Sequence, residues 1–588
     1  MVNRPRPIYR TPMRMTRDPC LIRYLAALAL LAVVGPAAPA APRDDTLRLA
    51  PPNAALVMVV QNARDHTQNI LNSPFAGWFP SSAVGKQLAA TAPLQLREIA
   101  APLFATIGVT PEALLADVFG DAVVFAYTPP TTDNPGGERA VLLVRPRKPE
   151  TLAKLIDRLN EIQIASGEVK AIARREHKGG EYFERQKTGG GSEFYCFRGG
   201  VFAYSGTEPD IKAVIDQDMT APPINVQPSG LAGKIEKLGV STAFVTLLVN
   251  PRALDAEVRA KVVAAKPDEK PFLNRFAEVW GALDAAAIYL TVDKTLEAGV
   301  SLDFRPNALP LASSGYLTGE RTASGLWPAV PETALVAAAA RFRAGVLLGA
   351  VGSILPEAGK KSLESVIADT IGPVIGRNHM PQVLDSLGPD WVAWAEPPTG
   401  DGHLPLFVGV VRISPEGGKG KETSRRIARA VGFGFQVARV AYNSSHVDQI
   451  EIEEEEDGDA IITTLVNGTT FPPGFRPAFA AKGGCLVVAG APEAIRRFRT
   501  PTGVPAVTEE VVAVRFAGAA TRAYILAHRE QLVGFLAKAG SGPEKEILKH
   551  LDQFATVLEP IERVELLSRG SKTGVRLAIR VQFVKPLK

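Results

Sequence analysis

PPNAALVMVVQ, Pro51 to Gln61, and VPETALVAAAARF, Val330 to Phe342, open two passages of this 588-residue chain that carry the same landmarks in the same order. Pro52 stands opposite Pro331, a separation of 279 residues. FGDAVVFAYTPP, ending at Pro130, answers LGPDWVAWAEPP, ending at Pro398. Each is followed by an apolar strand closing on arginine, RAVLLVR to Arg145 and LPLFVGVVR to Arg412, and then by a charged helical stretch. FRGGVFAYSGTEPDIKAVI, with Gly199 and Gly200, answers AAKGGCLVVAGAPEAIRRF, with Gly483 and Gly484. AGVSLDFRP to Pro306 answers VRLAIRVQFVKP to Pro586. The separations drift between 267 and 284, as loop insertions produce, while the order is kept. An ordered series of landmarks repeating at the scale of a domain points to an internal duplication.

Within the first passage, Ala55–Val60 is uninterrupted apolar and reads as a strand buried on both faces. An amphipathic stretch over Ser82–Ile107 is broken near Pro93 and Pro102. Strands follow at Ala122–Tyr127 and Ala140–Val144. Pro149 sits where a helix starts, and Leu152, Leu155, Ile156, Leu159 and Ile162 fall on one face of it. Glycine-rich turns divide Glu168–Gly206 into antiparallel strands, and Glu208-Pro209-Asp210 opens a short helix. A smaller unit adds a strand at Ala243–Val249, helices near Ala253–Val263 and Pro271–Ala282, and a hairpin joining Ala286–Val292 to Val300–Phe304. The second passage repeats this plan, with a longer helix after Lys421 and a hairpin around Asp457-Gly458. The expectation is an α+β protein of two tandem halves, each with mainly antiparallel sheets covered by helices. Its boundaries are 45–307 (larger part 45–220, smaller part 241–307) and 331–588 (331–500 and 510–588), joined by a Ser-, Gly- and Pro-rich linker at 308–330. On this alignment Val57, Val124, Val144 and Phe202 correspond to Val336, Val392, Val411 and Leu486.

Six arginines, from Arg4 to Arg23, precede the apolar run Tyr24–Gly35. Ala38-Pro39-Ala40 then fits the small-residue pattern of a cleavable leader, so residues 1–40 read as a signal peptide and Ala41 as the mature N-terminus. The run is shorter than the ~20 residues of a membrane span, and no stable span is expected after cleavage. The full chain carries 66 Lys+Arg and 61 Asp+Glu; the leader holds six arginines and Asp18, so the remainder is formally neutral. That balance gives a nucleic-acid partner no basic stripe to bind. Of the cysteines, only Cys196 and Cys485 lie beyond the leader, at non-equivalent places beside the paired glycines. Both read as small buried hydrophobes.

No catalytic or metal motif emerges. The seven histidines (His66, His177, His379, His403, His446, His528, His550) show no i, i+4 pair and no H-E-x-x-H. The acidic run EIEEEEDGD, Glu451 to Asp459, offers oxygen donors but alternates with Ile450 and Ile452, the pattern of a hairpin with a solvated tip. Gly189–Gly191 and Gly417–Thr423 lack the spacing of a phosphate loop and read as connections. Arg64-Asp65-His66 pairs a carboxylate with an imidazole in sequence, but adjacent side chains diverge, so a surface role is expected. No catalytic, cofactor-binding or metal-ligating residue is assigned, and no cofactor is expected.

Pro52–Val57, RDH, Ser73-Pro74-Phe75, Phe119-Gly120-Asp121, VLLVRPRKPETLAKLIDRL and Glu181–Asp216 together resemble large exported bacterial proteins of unknown function that are abundant in planctomycetes. The resemblance implies export and fold, and no chemistry. The expected function is an exported, non-enzymatic scaffold or binding protein of the bacterial envelope, periplasmic, cell-surface or secreted, whose partner is an envelope protein or polymer. The competing class is an extracytoplasmic hydrolase with a site built between the halves.

Overall fold

The computed structural model describes residues 42–78, 86, 110, 114–130, 137–220, 230–310, 314, 317–370, 380–414, 420–467, 469–503 and 507–584. The leader, most of Ser82–Ile107, His379 and residues 417–419 of the Gly417–Thr423 stretch lie outside them, while Gly420–Thr423 opens a helix.

The fold is α+β and is organised by one sheet of twenty antiparallel strands. Ten come from the first half of the chain: β1 (Leu56–Gln61), β2 (Ala122–Thr128), β3 (Arg139–Arg145), β4 (Val169–His177), β5 (Gly180–Lys187), β6 (Ser192–Arg198), β7 (Val201–Ser205), β8 (Val245–Val249), β9 (Leu283–Val292) and β10 (Thr295–Phe304). Ten come from the second: β11 (Val336–Arg341), β12 (Leu387–Glu396), β13 (Leu406–Ile413), β14 (Glu451–Asp457), β15 (Ala460–Val466), β16 (Ala478–Lys482), β17 (Cys485–Ala489), β18 (Glu510–Ala517), β19 (Ile561–Gly570) and β20 (Gly574–Phe583). From one edge the first ten run β4-β5-β6-β7-β3-β2-β1-β8-β9-β10. From the opposite edge the second ten run β14-β15-β16-β17-β13-β12-β11-β18-β19-β20. The two series meet at β10–β20, where Gly299 pairs with Ala578 at the centre of the register.

Register aligns the series residue by residue. Val124 faces Val59 and Leu143, as Val392 faces Ala339 and Val410. Val144 faces Phe202 as Val411 faces Leu486. Val57 therefore stands at the position of Ala337, one residue on from the Val336 expected, because the strand repeat of two decides which face a side chain takes.

β1 is not buried on both faces. Val57 and Val59 are buried whereas Met58 is exposed, because β1 sits in an antiparallel sheet whose two faces differ. On the inner face lies the main core of the first half, with Val57, Val124, Leu143, Leu248 and Ala287 under Ile211 and Ile235. It continues past the junction to Leu567 and Ala578. In the second half Val392, Val410, Val487 and Trp394 occupy that face under Ile495, Phe498 and Leu326. On the outer face the helix Pro149–Ala165 starts at its proline and sets Leu152 and Leu155 against Val144, Tyr195 and Phe202. Truncating either leucine to alanine removes about 2–5 kcal/mol of packing. The longer helix Gly420–Asn443 packs Ile427 against Ile413 and Leu486.

Helices of each half reach the other. The helix Ala344–Ile354 contacts Lys270–Ala282, and Trp78 Nε1 donates to Thr556 O at 3.2 Å. Among the described residues of the 308–330 segment, Leu309 and Leu326 are buried, Arg321-Thr322 pairs with Val507-Thr508, and Gly325 N donates to Asp390 at 3.0 Å.

The outer edges are charged. β14 exposes Glu451 and Glu453–Glu456, and β4 exposes Lys170, Arg174 and Arg175. Charge along an unpaired edge discourages pairing with another chain, which gives the acidic run a structural role.

Candidate functional site

Strand register carries one apolar row across the outer face of the first half. Leu142, Phe125, Met58, Leu247, Ile288, Val300 and Leu577 are successive cross-strand neighbours. In the second half the corresponding row runs through Ala298, Ile579, Leu566, Val514, Ala338, Ala393, Gly409 and Val488. Ile288, Leu577 and Ile579 are each more than half exposed. Apolar exposure concentrated on one face, as here, marks a contact surface better than scattered hydrophobes do.

The two rows differ in one respect. Where the first half has Met58, Phe125, Leu142 and Tyr204, the second has Ala338, Ala393, Gly409 and Val488. Those small residues leave a trough of about 580 Å³, with Trp391, Val411 and Leu486 completing its walls. Its one polar side-chain group, the Trp391 indole N–H, is spent on Phe342 O at 2.8 Å. The volume lies within the usual ~300–1,000 Å³ of small-molecule sites.

The chemistry of the trough is limited by what lines it. It presents no titratable group, nucleophile or cation, so it binds by exclusion of water and supplies no acid, base or electrophile. Its floor strands β12, β13 and β17 are paired on both sides, and β11 pairs with β18 over Val336–Ala338, so most of the main chain beneath the trough is already engaged in the sheet.

The histidines are spread through other surroundings. His66 Nδ1 lies 2.7 Å from Val292 O and its ring meets Phe244, while Asp65 is exposed beside it. His177 pairs with Asp216 at 3.0 Å, and His446 stacks on Tyr442. His403 and His528 approach with ring centroids 6.1 Å apart. Among the described residues, no group of three His, Cys, Asp or Glu side chains is placed to hold a metal ion. Asp457 is tied to Lys482 at 2.6 Å and Glu455 to Arg496, so part of the acidic hairpin is engaged internally. Gly189–Gly191 forms the β5–β6 turn, with Gly190 and Gly191 at positive φ.

Cys196 and Cys485 are both free and buried. Burial pushes the Cys196 thiol up to about 12 and raises that of Cys485. Neither has the lowered pKa of a reactive thiolate.

A second polar concentration was not foreseen from the sequence. At the β10–β20 junction Glu297 accepts from Arg569 Nη1 at 2.8 Å, Arg580 Nη2 at 2.9 Å and Tyr289 Oη at 2.8 Å. Glu510 is held by the same two arginines. Burial alone would raise the Glu297 carboxyl, but hydrogen bonds from Arg569, Tyr289 and Arg580 outweigh it and hold the group at about 2. These charges lie on the inner face of β20, whereas Leu577 and Ile579 point outward. The amphipathic pattern of VRLAIRV is thus inverted relative to a simple apolar-inside reading. An arginine recurring every fourth residue is its only local signal.

Compared with protein-family models, characterised proteins and solved structures, the chain finds no match. Among the described residues, no helix is long and apolar enough to cross a membrane.

Proposed function

We propose that this chain is an exported, non-enzymatic binding protein, built as two copies of one ten-strand unit, that seats an apolar small molecule or acyl chain in the outer-face trough of its second half. The observation that carries this reading is the replacement of Met58, Phe125 and Leu142 by Ala338, Ala393 and Gly409 at matching register, which hollows one half where the other is filled. Each methylene seated there gains about 0.8 kcal/mol, so a chain of six to eight contributes roughly 5–6 kcal/mol before the cost of immobilising it. The arginine-rich leader and the resemblance to exported planctomycete proteins support an envelope location. The lining of the trough supports binding over hydrolysis, since a hydrolytic site needs a nucleophile or an activated water.

The test uses the neutral fluorophore N-phenyl-1-naphthylamine with the full mature chain. Saturable enhancement, displaced by a neutral long-chain alcohol and abolished by Ala338→Met with Ala393→Phe, is expected. Enhancement that those substitutions leave intact, or none at all, overturns the proposal.

A further inference from the structure

We infer that the cleft on the inner face of the junction is a binding site for a small oxyanion, a phosphate or a molecule bearing one, with Arg576 as its fixed cation. This site is separate from the outer-face trough, and either stands if the other fails.

Three arginines and two glutamates meet at the junction. Arg569 and Arg580 each contact both Glu297 and Glu510, so two cations are matched by two anions. The third, Arg576, has no carboxylate within ion-pair distance among the described residues. Its Nη2 donates to Leu238 O at 2.7 Å, its guanidinium lies over the Tyr289 ring at 5.6 Å, and its buried Nε has no partner. Gly239, at φ +65°, makes room for it, since a Cβ there would collide with Nη2. The side chain is therefore held in place by a carbonyl, an aromatic face and a glycine, and the carboxylate that acts on it from a distance, Glu297, is already shared between Arg569 and Arg580. Partial burial without a paired counterion disfavours the charged guanidinium and lowers the affinity of Arg576 for its proton. An anion arriving beside it recovers part of that cost.

There is space for one. Arg576 borders a cavity of about 580 Å³ lined by Lys237, Leu238 and Ser301 from the first half and by Arg569 and Lys572 from the second. Two acids, Glu320 and Glu509, also border it, and both are exposed. Water and salt screen exposed charges, whereas the half-buried guanidinium is screened far less, so Arg576 sets the sign of the site. Lys237 and Lys572, exposed on opposite halves, add attraction as the anion enters. Because the lining comes from both halves, occupancy also fastens the junction.

The experiment is isothermal titration of the full mature chain with inorganic phosphate and, separately, sulfate at low ionic strength, with hydrogen exchange on β10 and β20 in parallel. Saturable phosphate binding is expected, weakened at least tenfold by Arg576→Met, less by Arg576→Lys, and several-fold by Lys237→Ser with Lys572→Ser. Slower exchange of the β10 and β20 amides in phosphate is also expected. The lysine pair is exposed, so its variant reports on binding even if Arg576→Met impairs folding. No saturable phosphate heat up to 10 mM, or binding that neither set of substitutions changes, overturns the inference. Sulfate binding equal to phosphate supports an oxyanion site that reads charge alone.

Discussion

Glu297→Gln tests whether the β10–β20 junction is held by its charge network. The Glu297 carboxyl is 8% exposed as a residue and carries Arg569, Arg580 and Tyr289. Holding a carboxyl at about 2 in place of its ordinary 4.5 corresponds to roughly 3 kcal/mol of stabilisation at neutral pH. Glutamine retains a hydrogen-bond acceptor, and Glu510 still faces both arginines, so we expect a loss of about 2–3 kcal/mol at pH 7. The sign follows from the depressed pKa. The contribution is fully present above about pH 4.5, the unfolded value, and is lost as pH falls towards about 2. By pH 3 roughly half of it should be gone in the wild type, while the glutamine variant has nothing to lose from this group. Hydrogen exchange of the β10 and β20 amides at pH 7, 5 and 3 reads the local opening free energy directly. A wild-type to variant gap below about 0.5 kcal/mol at pH 7, or one that stays constant between pH 7 and pH 3, would refute the argument.

Other outcomes follow from single features. Ala393→Phe alone should fill most of the trough and cut naphthylamine affinity at least tenfold, with a melting temperature within a few degrees of wild type, since it restores what the first half carries at Phe125. Native protein should leave Cys196 and Cys485 unreacted with Ellman's reagent over an hour at pH 8, both reacting in 6 M guanidinium; rapid native labelling would contradict their burial. N-terminal sequencing of protein from the envelope fraction should begin at Ala41, and intact Met1 on cytoplasmic protein would contradict export. Calorimetry with calcium should show no micromolar site at Glu451–Asp459, and an isotherm abolished by replacing Glu454, Glu456 and Asp459 would contradict the edge-strand role.

The strands and covering helices were legible because their signals are local. Pro149 with its apolar stripe, the Asp457-Gly458 turn and the paired glycines Gly199-Gly200 and Gly483-Gly484 specify their elements without reference to distant chain. What sequence could not supply was register between strands far apart in the chain. Landmark spacing sets Val336 opposite Val57 because it is blind to face, whereas the pairing of Ala339 with Val392 puts Ala337 on the core side at that position. The trough was invisible for the same reason. Ala338, Ala393 and Gly409 are unremarkable singly and become a site only when β11, β12 and β13 set them side by side. Glu297 and Arg580 lie 283 residues apart, and nothing near either one names the other.

The register at the junction also bears on why both units occupy one chain. Glu297 faces Arg580 and Ser301 faces Arg576, with Gly299 opposite Ala578 between them. On the reading of two copies of one unit, Glu297 occupies the position of Arg576, and Ser301 that of Arg580. Two copies of the first unit would then set glutamate against serine twice, leaving both carboxylates buried without the arginines that hold Glu297. Two copies of the second would set Arg576 against Arg580 twice, four guanidinium groups where like charges repel and no acid of β10 answers them. Only the mixed pairing matches anion to cation across β10 and β20. The substitutions that hollow the outer face are confined to the second unit, and the carboxylate that closes the junction is confined to the first. Tethering the two makes their meeting intramolecular and guarantees one of each. On that reading, divergence between the units is what hollows one sheet face in the second unit alone and what sets Glu297 of the first against Arg580 of the second.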